Sequence, residues 1–291
     1  MAGLRNDEKR ISSQSLNAKA ILRRYRIRPN KRLGQSFLID SGALHQVVAA
    51  AELTGKETVL EIGAGLGALT QALAKKAHRV IAVEYDQRLF PVLENMVGGI
   101  NNVKLIIGDI LKLDVETLVG KSVYRVVANI PYNITSAVIR RLMEAPQLAD
   151  RVVLTVQREV GQRIVASPGS LSLLAISVQI FGEPKIVANI PASAFYPKPK
   201  VDSAVLRIDV HQVPKVPRRL IPALFQLARA GFSQKRKRLR NSLASGLGVK
   251  PTSIEKWLEA TSLPAGCRAQ ELSIDDWSRL TQMVKDAGGF S

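Results

Sequence analysis

The strongest constraint on the fold lies between residues 57 and 131, where short apolar runs rich in β-branched residues alternate with segments of helical period. ETVLEIG (57–63), RVIAVEYD (79–86), NVKLIIGD (102–109) and YRVVANIP (124–131) read as strands, while ALTQALAKKA (68–77) and QRLFPVLENMV (87–97) read as helices. Strands separated by helices connect by right-handed crossovers and build a parallel sheet. Strands this apolar are covered on both faces. The fold class is therefore α/β, and at 291 residues with 46% hydrophobic and 23% charged side chains the chain has material for a sizeable core.

The pattern continues with a helix (ITSAVIRRLME), a strand (RVVLTVQ), a helix (EVGQRIVA) and an apolar segment (LSLLAISVQIF). PKIVANI and DSAVLRIDV then read as paired strands joined by the proline-rich loop ASAFYPKPKV, whose fixed φ angles make it stiff. HQVPKVP (211–217) marks a boundary, beyond which the periodicity is wholly helical. Three parts are expected: a basic N-terminal extension (1–30), an α/β domain (31–212) and a small helical domain (213–291). Residues 19–32 of the extension hold seven basic residues and no acid, and read as a solvated leader that Pro29 keeps from being helical at its end. Trp257 and Trp277 fall at helical spacing from apolar neighbours and read as core residues of the small domain.

Charge restricts the partners. Lys and Arg number 42 against 24 Asp and Glu, a formal net charge of +18. Such an excess selects a polyanion, and nucleic acid is favoured over a membrane surface because the basic segments lack the aromatic–cationic alternation of interfacial helices. Between His211 and Ser253 there are ten basic residues and no acid, with Lys235, Arg236, Lys237, Arg238 and Arg240 opening a predicted helix. They are candidate phosphate contacts, a solvated helix face being the alternative. The single Cys267 excludes an internal disulfide and a multi-thiolate metal site, and His45, His78 and His211 have no ligand spacing, so no metal is expected. With no long apolar run either, the expectation is a soluble, cytoplasmic protein with no membrane partner.

Glu61-Ile-Gly-Ala-Gly-Leu-Gly67 follows a strand and opens a helix, which is where glycines let a ligand approach the backbone. Gly63 and Gly65 with Glu84 about 20 residues on fit the binding of an adenosyl ribose, whether of NAD or of S-adenosylmethionine. Asp109, ending the next strand, could accept a hydrogen bond from an adenine amine. Asn129-Ile130-Pro131-Tyr132, at the carboxyl end of another strand, separates the two cofactors, since this quartet is the amino-methyltransferase signature. A ring-conjugated amine is a poor nucleophile and must be oriented. The Asn129 side-chain oxygen and the Pro131 carbonyl suit its two hydrogens, and Tyr132 suits stacking on a flipped base.

From about Lys31 onward the chain resembles the ribosomal RNA adenine dimethyltransferase family, closest to its bacterial small-subunit members. LGQSFLID, VLEIGAGLGALT, VIAVEYD, GDIL, ANIPYNI, LTVQREVGQRIVA, PASAFYPKPKVDSAV and FSQKRKRLRNSL carry the likeness, in the family's order. The resemblance implies a Rossmann-like methyltransferase sheet with a helical C-terminal domain. It also implies transfer of four methyl groups from S-adenosylmethionine, leaving S-adenosylhomocysteine, to N6 of two adjacent adenosines in the 3′-terminal hairpin loop of small-subunit rRNA. Large-subunit rRNA, or a non-catalytic assembly role on the same fold, is the alternative. By the same likeness Gln35, Ser36 and Leu38 close over the methionine end of the cofactor, Gly63 lines it, Glu84 takes the ribose and Asp109 the adenine. Asn129 completes that set, and Phe195 sandwiches the target base with Tyr132. Two departures stand out: Ser36 replaces the family's Asn or His, and the segment 167–179 is shorter than usual and lacks a Tyr-Gly-Arg.

Overall fold

The computed structural model describes residues 16–234 and 236–290, and the chain divides into two compact units. The first runs to Gly161 and takes up Lys185–Val210; the second comprises Gln162–Pro184 and His211 onward.

The first unit is built on a seven-stranded sheet. Its parallel part consists of β2 (Thr58–Ile62), β3 (Arg79–Glu84), β4 (Val103–Ile107), β5 (Tyr124–Asn129) and β6 (Arg151–Gln157). Beyond β6 lie β7 (Gly182–Ile190) and β9 (Ser203–Val210), of which β9 closes onto β6 antiparallel. The strand order is β4-β3-β2-β5-β6-β9-β7. The chain proceeds to one side from β2 through β3 and β4, then returns to the other side of β2 with β5. The carboxyl ends of β2 and β5 therefore flank the topological switch point, where open α/β sheets bind ligands. All five residues of β2 are buried, and Val47, Val59, Leu73, Val80, Val127 and Val153 are wholly inaccessible, so helices cover both faces as the apolar runs require.

Helices α2 (Ser41–Ala50), α3 (Ala68–Ala74), α4 (Phe90–Val97), α5 (Val115–Val119) and α6 (Thr135–Met143) link these strands. Beyond α5 and the short 3₁₀ turns, two elements were not legible in the sequence. One is α1 (Ala18–Arg24), whose N-cap Asn17 accepts from the Ala20 N–H at 3.0 Å. Its Ala18 and Leu22 are buried in a cluster with Phe37, Leu66, Leu89 and Val92, so residues 16–27 are integral to the first unit and not a solvated leader. The other is a two-stranded sheet of β1 (Phe37–Leu38) and β8 (Phe195–Tyr196), antiparallel, with Phe37 opposite Tyr196 and Leu38 opposite Phe195.

The second unit is helical. After α7 (Arg158–Ile164) leads into it, it contains α8 (Leu173–Gln179), α9 (Ile221–Phe232), α10 (Leu239–Leu247), α11 (Pro251–Ala260) and α12 (Ile274–Asp286). Trp277 is wholly buried and stacks on Phe232 with ring centroids 5.8 Å apart, and Trp257 is also buried. Residues 162–184, read from sequence as part of the α/β domain, pack here instead. The N–H groups of Gly169 and Leu171 donate to the Gln270 carbonyl, and those of His211 and Lys215 to Phe181 and Ile180. Among the described residues no helix is long and apolar enough to cross a membrane.

Candidate active site

The carboxyl ends of β2 to β5 meet at a cavity of about 310 Å³ whose walls are mostly apolar. Gly63, Gly65, Glu84, Asp109, Asn129, Pro131 and Tyr132 line it together, joined by Gln35, Ser36 and Leu38 from the segment that contains β1. Sequence positions from 35 to 132 thus converge on one sheet edge.

The glycines are required by both conformation and space. Gly63 and Gly65 have φ of +79° and +59°, and a Cβ would lie 3.3 Å from the Asn129 carbonyl at the first and 3.1 Å from the Phe37 ring at the second. Glu84 is buried and rigidly oriented: one carboxylate oxygen accepts the Gly65 N–H and the other the Asp86 N–H, both at 2.8 Å. Burial raises its pKa, against the pull of those two hydrogen bonds. Each oxygen retains acceptor capacity for a ribose hydroxyl. Asp109 spends one carboxylate oxygen on the Leu111 N–H at 3.0 Å and leaves the other for an amine. Tyr85, 59% exposed, stands beside Glu84 on the cavity wall, and Leu16 reaches the wall from the start of α1. Neither is signalled by the sequence: Tyr85 continues the pattern of a strand, and Leu16 precedes a stretch whose charge advertises solvent.

Gln35 does not face a ligand with its amide. Its Nε2 donates to Asp86 Oδ2 at 2.8 Å and its Oε1 accepts the Asn30 N–H at 2.7 Å, so the side chain fastens the loop. Hydrogen bonds from Arg88 hold Asp86 below the usual carboxylate range, with burial working against them, and keep it ionised as an anchor. Ser36 bridges two loops: its Oγ donates to the Pro197 carbonyl at 2.7 Å, and its own carbonyl accepts Asn129 Nδ2 at 3.1 Å. This second bond fixes the Asn129 amide. With Nδ2 engaged, Oδ1 is left as the free acceptor. The Pro131 carbonyl takes the Ile134 N–H at 3.2 Å and keeps a second lone pair.

Tyr132 is half-buried in a short 3₁₀ turn, and its hydroxyl lies 2.6 Å from Ser203 Oγ. Burial raises its pKa, so it remains a neutral phenol. Phe195, expected beside it at the target base, is 3% exposed, belongs to the buried cluster of Leu38, Val47 and Ile190, and is not on the cavity wall. Its burial supports a role in anchoring the proline loop. Tyr196 is the aromatic of that pair left half-buried.

Beneath the cavity floor, Glu61 on β2 is wholly buried with both carboxylate oxygens unpartnered. The Thr70 hydroxyl lies beside it without completing a hydrogen bond. Burial, with the neighbouring Glu84 charge adding to it, pushes its pKa up to about 8.

In the second unit Arg236, Lys237 and Arg238 are exposed, with Arg238 at the N-cap of α10. Arg240 is half-buried and ion-paired with Glu255, while Lys235 lies outside the described residues.

Residues 26–286 match the family model described as ribosomal RNA adenine dimethylase. A ribosomal RNA small subunit methyltransferase A of Dehalococcoides mccartyi is 43% identical over 264 residues, covering 90% of this chain and 91% of the relative. One of Alkaliphilus metalliredigens is 38% identical, covering 91% and 95%. Among solved structures, a dimethyladenosine transferase from Plasmodium falciparum is similar at 27% identity with a TM-score of 0.69, over 85% of this chain and 96% of that one. The 23S rRNA methyltransferase ErmE is similar at 26% identity and 0.68, over 86% and 99%. With glycine cradle, carboxylates and oriented Asn129 gathered at one edge of the sheet, and with likeness over nine-tenths of its length, the chain belongs to the ribosomal RNA adenine dimethylase family.

Proposed function

We propose that this enzyme uses S-adenosylmethionine to dimethylate N6 of two adjacent adenosines in the 3′-terminal hairpin loop of small-subunit rRNA, within an assembling subunit in the cytoplasm. The observation that carries the reading is the Asn129 amide, turned by its bond to Ser36 so that Oδ1 is the free acceptor at the cavity. The cradle and donor set suit an adenosyl group: Gly63 and Gly65 leave room at the backbone, Glu84 would take the ribose and Asp109 the adenine amine, with Tyr85 against the ring. When bound, S-adenosylmethionine supplies an electrophilic methyl group on a sulfonium.

The protein's task is orientation. Asn129 Oδ1 and the Pro131 carbonyl hold the two amine hydrogens of the target adenine and aim its nitrogen lone pair, while Tyr132 stacks on the ring. No strong base is needed before attack, because the methylated nitrogen is acidic and sheds its proton to water. Unstacked loop adenines reach the cavity at modest cost.

The second unit is assigned to RNA. Arg236, Lys237 and Arg238 crowd the N-terminus of α10, where the helix dipole disfavours cations; a phosphate bound there relieves the repulsion and meets the positive end of the dipole. Arg240, paired with Glu255, contributes less. The free protein acts as a monomer.

The test is incubation with S-adenosylmethionine and unmethylated small subunits, with mass-spectrometric mapping of dimethyladenosine. Two adjacent dimethyladenosines, absent with Asn129→Ala and Tyr132→Ala, are expected. Label only in large-subunit rRNA, or binding without transfer, refutes the proposal.

A further inference from the structure

We propose that Ser203 is a positioning residue for the target base, holding the Tyr132 ring by its hydroxyl so that the faces of the ring stay available for stacking; this rests on the reading of Tyr132 as the platform. A ring fixed by packing on both faces cannot receive a base, and a ring fixed by neither swings about its two side-chain torsions. An anchor at the phenol oxygen meets both demands.

The geometry fits that role. Ser203 is wholly buried at the first position of β9, opposite Gln157 of β6, and its Oγ lies 2.6 Å from Tyr132 Oη. Tyr132 lines the cavity and opens a short 3₁₀ turn that runs into α6, and among the described residues its ring stacks on no other aromatic ring. The anchor point is firm. The preceding Asp202 accepts the Ala192 N–H on its carboxylate and the Arg158 N–H on its carbonyl, each at 3.0 Å, and β9 pairs with β6 continuously from Ser203 to Asp209. The hydroxyl pair thus ties the turn that begins at Tyr132 to the frame of the sheet, 71 residues away in sequence.

The inference is tested by a double-mutant cycle of Ser203→Ala and Tyr132→Phe, with Tyr132→Ala as reference and small subunits as substrate. Each single variant is expected to lose about tenfold in kcat/KM, mostly in kcat because misorientation is felt at the transition state, and the double variant no more than either single. Affinity for S-adenosylmethionine should be unchanged in all. Ser203→Cys, which fills the site with a slightly larger group and weakens the hydrogen bond, gives the same cycle if the alanine variant folds poorly. An additive cycle, with the Ser203 variant losing as much in the Tyr132→Phe background as in the wild type, overturns the positioning role while Tyr132→Ala inactivity leaves the platform intact. Full activity in Tyr132→Ala overturns the platform and the inference with it.

Discussion

Replacing Glu61 by glutamine should flatten the pH dependence of stability of the cofactor-free protein. The carboxyl is wholly buried without a hydrogen-bond partner, and its pKa stands at about 8 against the usual 4.5. The unfolded chain therefore releases this proton near 4.5 and the folded one only near 8. Stability from this residue is full below 4.5 and is lost as the pH rises towards 8. Between pH 5 and 7.5, at about 1.36 kcal/mol per unit, the loss comes to about 3 kcal/mol. Glutamine keeps the shape and the buried polarity but does not titrate, so the comparison of the two proteins across pH isolates the proton. Urea unfolding at both pH values is the assay. With a slope of about 3 kcal/mol per molar, the wild-type midpoint should drop by about 1 M more than that of the variant. Equal drops in the two proteins would refute the argument, and would mean that water or a shifted hydroxyl solvates the carboxylate in solution.

Gly65→Ala should weaken S-adenosylmethionine binding about tenfold in calorimetry, because the new Cβ meets the Phe37 ring at a φ that favours glycine. Charge reversal at Arg236 and Arg238 should lower affinity for small-subunit RNA and make log K fall less steeply with log salt, by about 0.7 to 0.9 for each phosphate no longer neutralised, with cofactor affinity unchanged. Glu57 behaves oppositely to Glu61: burial alone would raise it, but hydrogen bonds from Thr54 and the Arg125 charge outweigh burial and hold it at about 2. Its contribution is complete above 4.5 and disappears as the pH falls towards 2, so Glu57→Gln should lose about 1 kcal/mol at pH 7 and less in acid denaturation at about pH 3. Ser36→Ala should lower the melting temperature by about 2 to 4 °C with little change in kcat, since it leaves the Pro197 carbonyl without its donor while the backbone carbonyl that holds Asn129 stays in place.

The parallel strands and their helices were legible because periodicity and burial coincide there: VLEI, VIAVE and VVAN are apolar on both faces, and glycine, Glu84, Asp109 and Asn129 each stand at or just past a strand's end. The site followed from chain order, since strands that run parallel deliver their carboxyl ends to one edge. What stayed hidden depends on contacts distant in sequence. Two-residue strands such as Phe37–Leu38 carry no period, and their partner lies more than 150 residues on. α1 was masked by its arginines, because four of the seven residues from Arg23 to Pro29 are arginine and advertise solvent, while only Ala18 and Leu22 of the helix are buried. Phe195 could not be placed from its motif alone: a loop aromatic is equally able to face a ligand or to fill a core, and the register with Leu38 decides it. Residues 162–184 joined the second unit through backbone bonds to Gln270, which no local pattern announces.

Pairing of Phe37–Leu38 with Phe195–Tyr196, reinforced by the Ser36–Pro197 bond, makes one ribbon of two segments at opposite ends of the first unit's sequence. Such a ribbon binds their histories. A change at position 36 that removes the hydroxyl leaves the Pro197 carbonyl wanting a donor, and a change that reshapes 195–197 strands Ser36; neither segment drifts alone without cost. Grafting the proline loop of another member onto this chain should therefore succeed only when its partner segment travels with it.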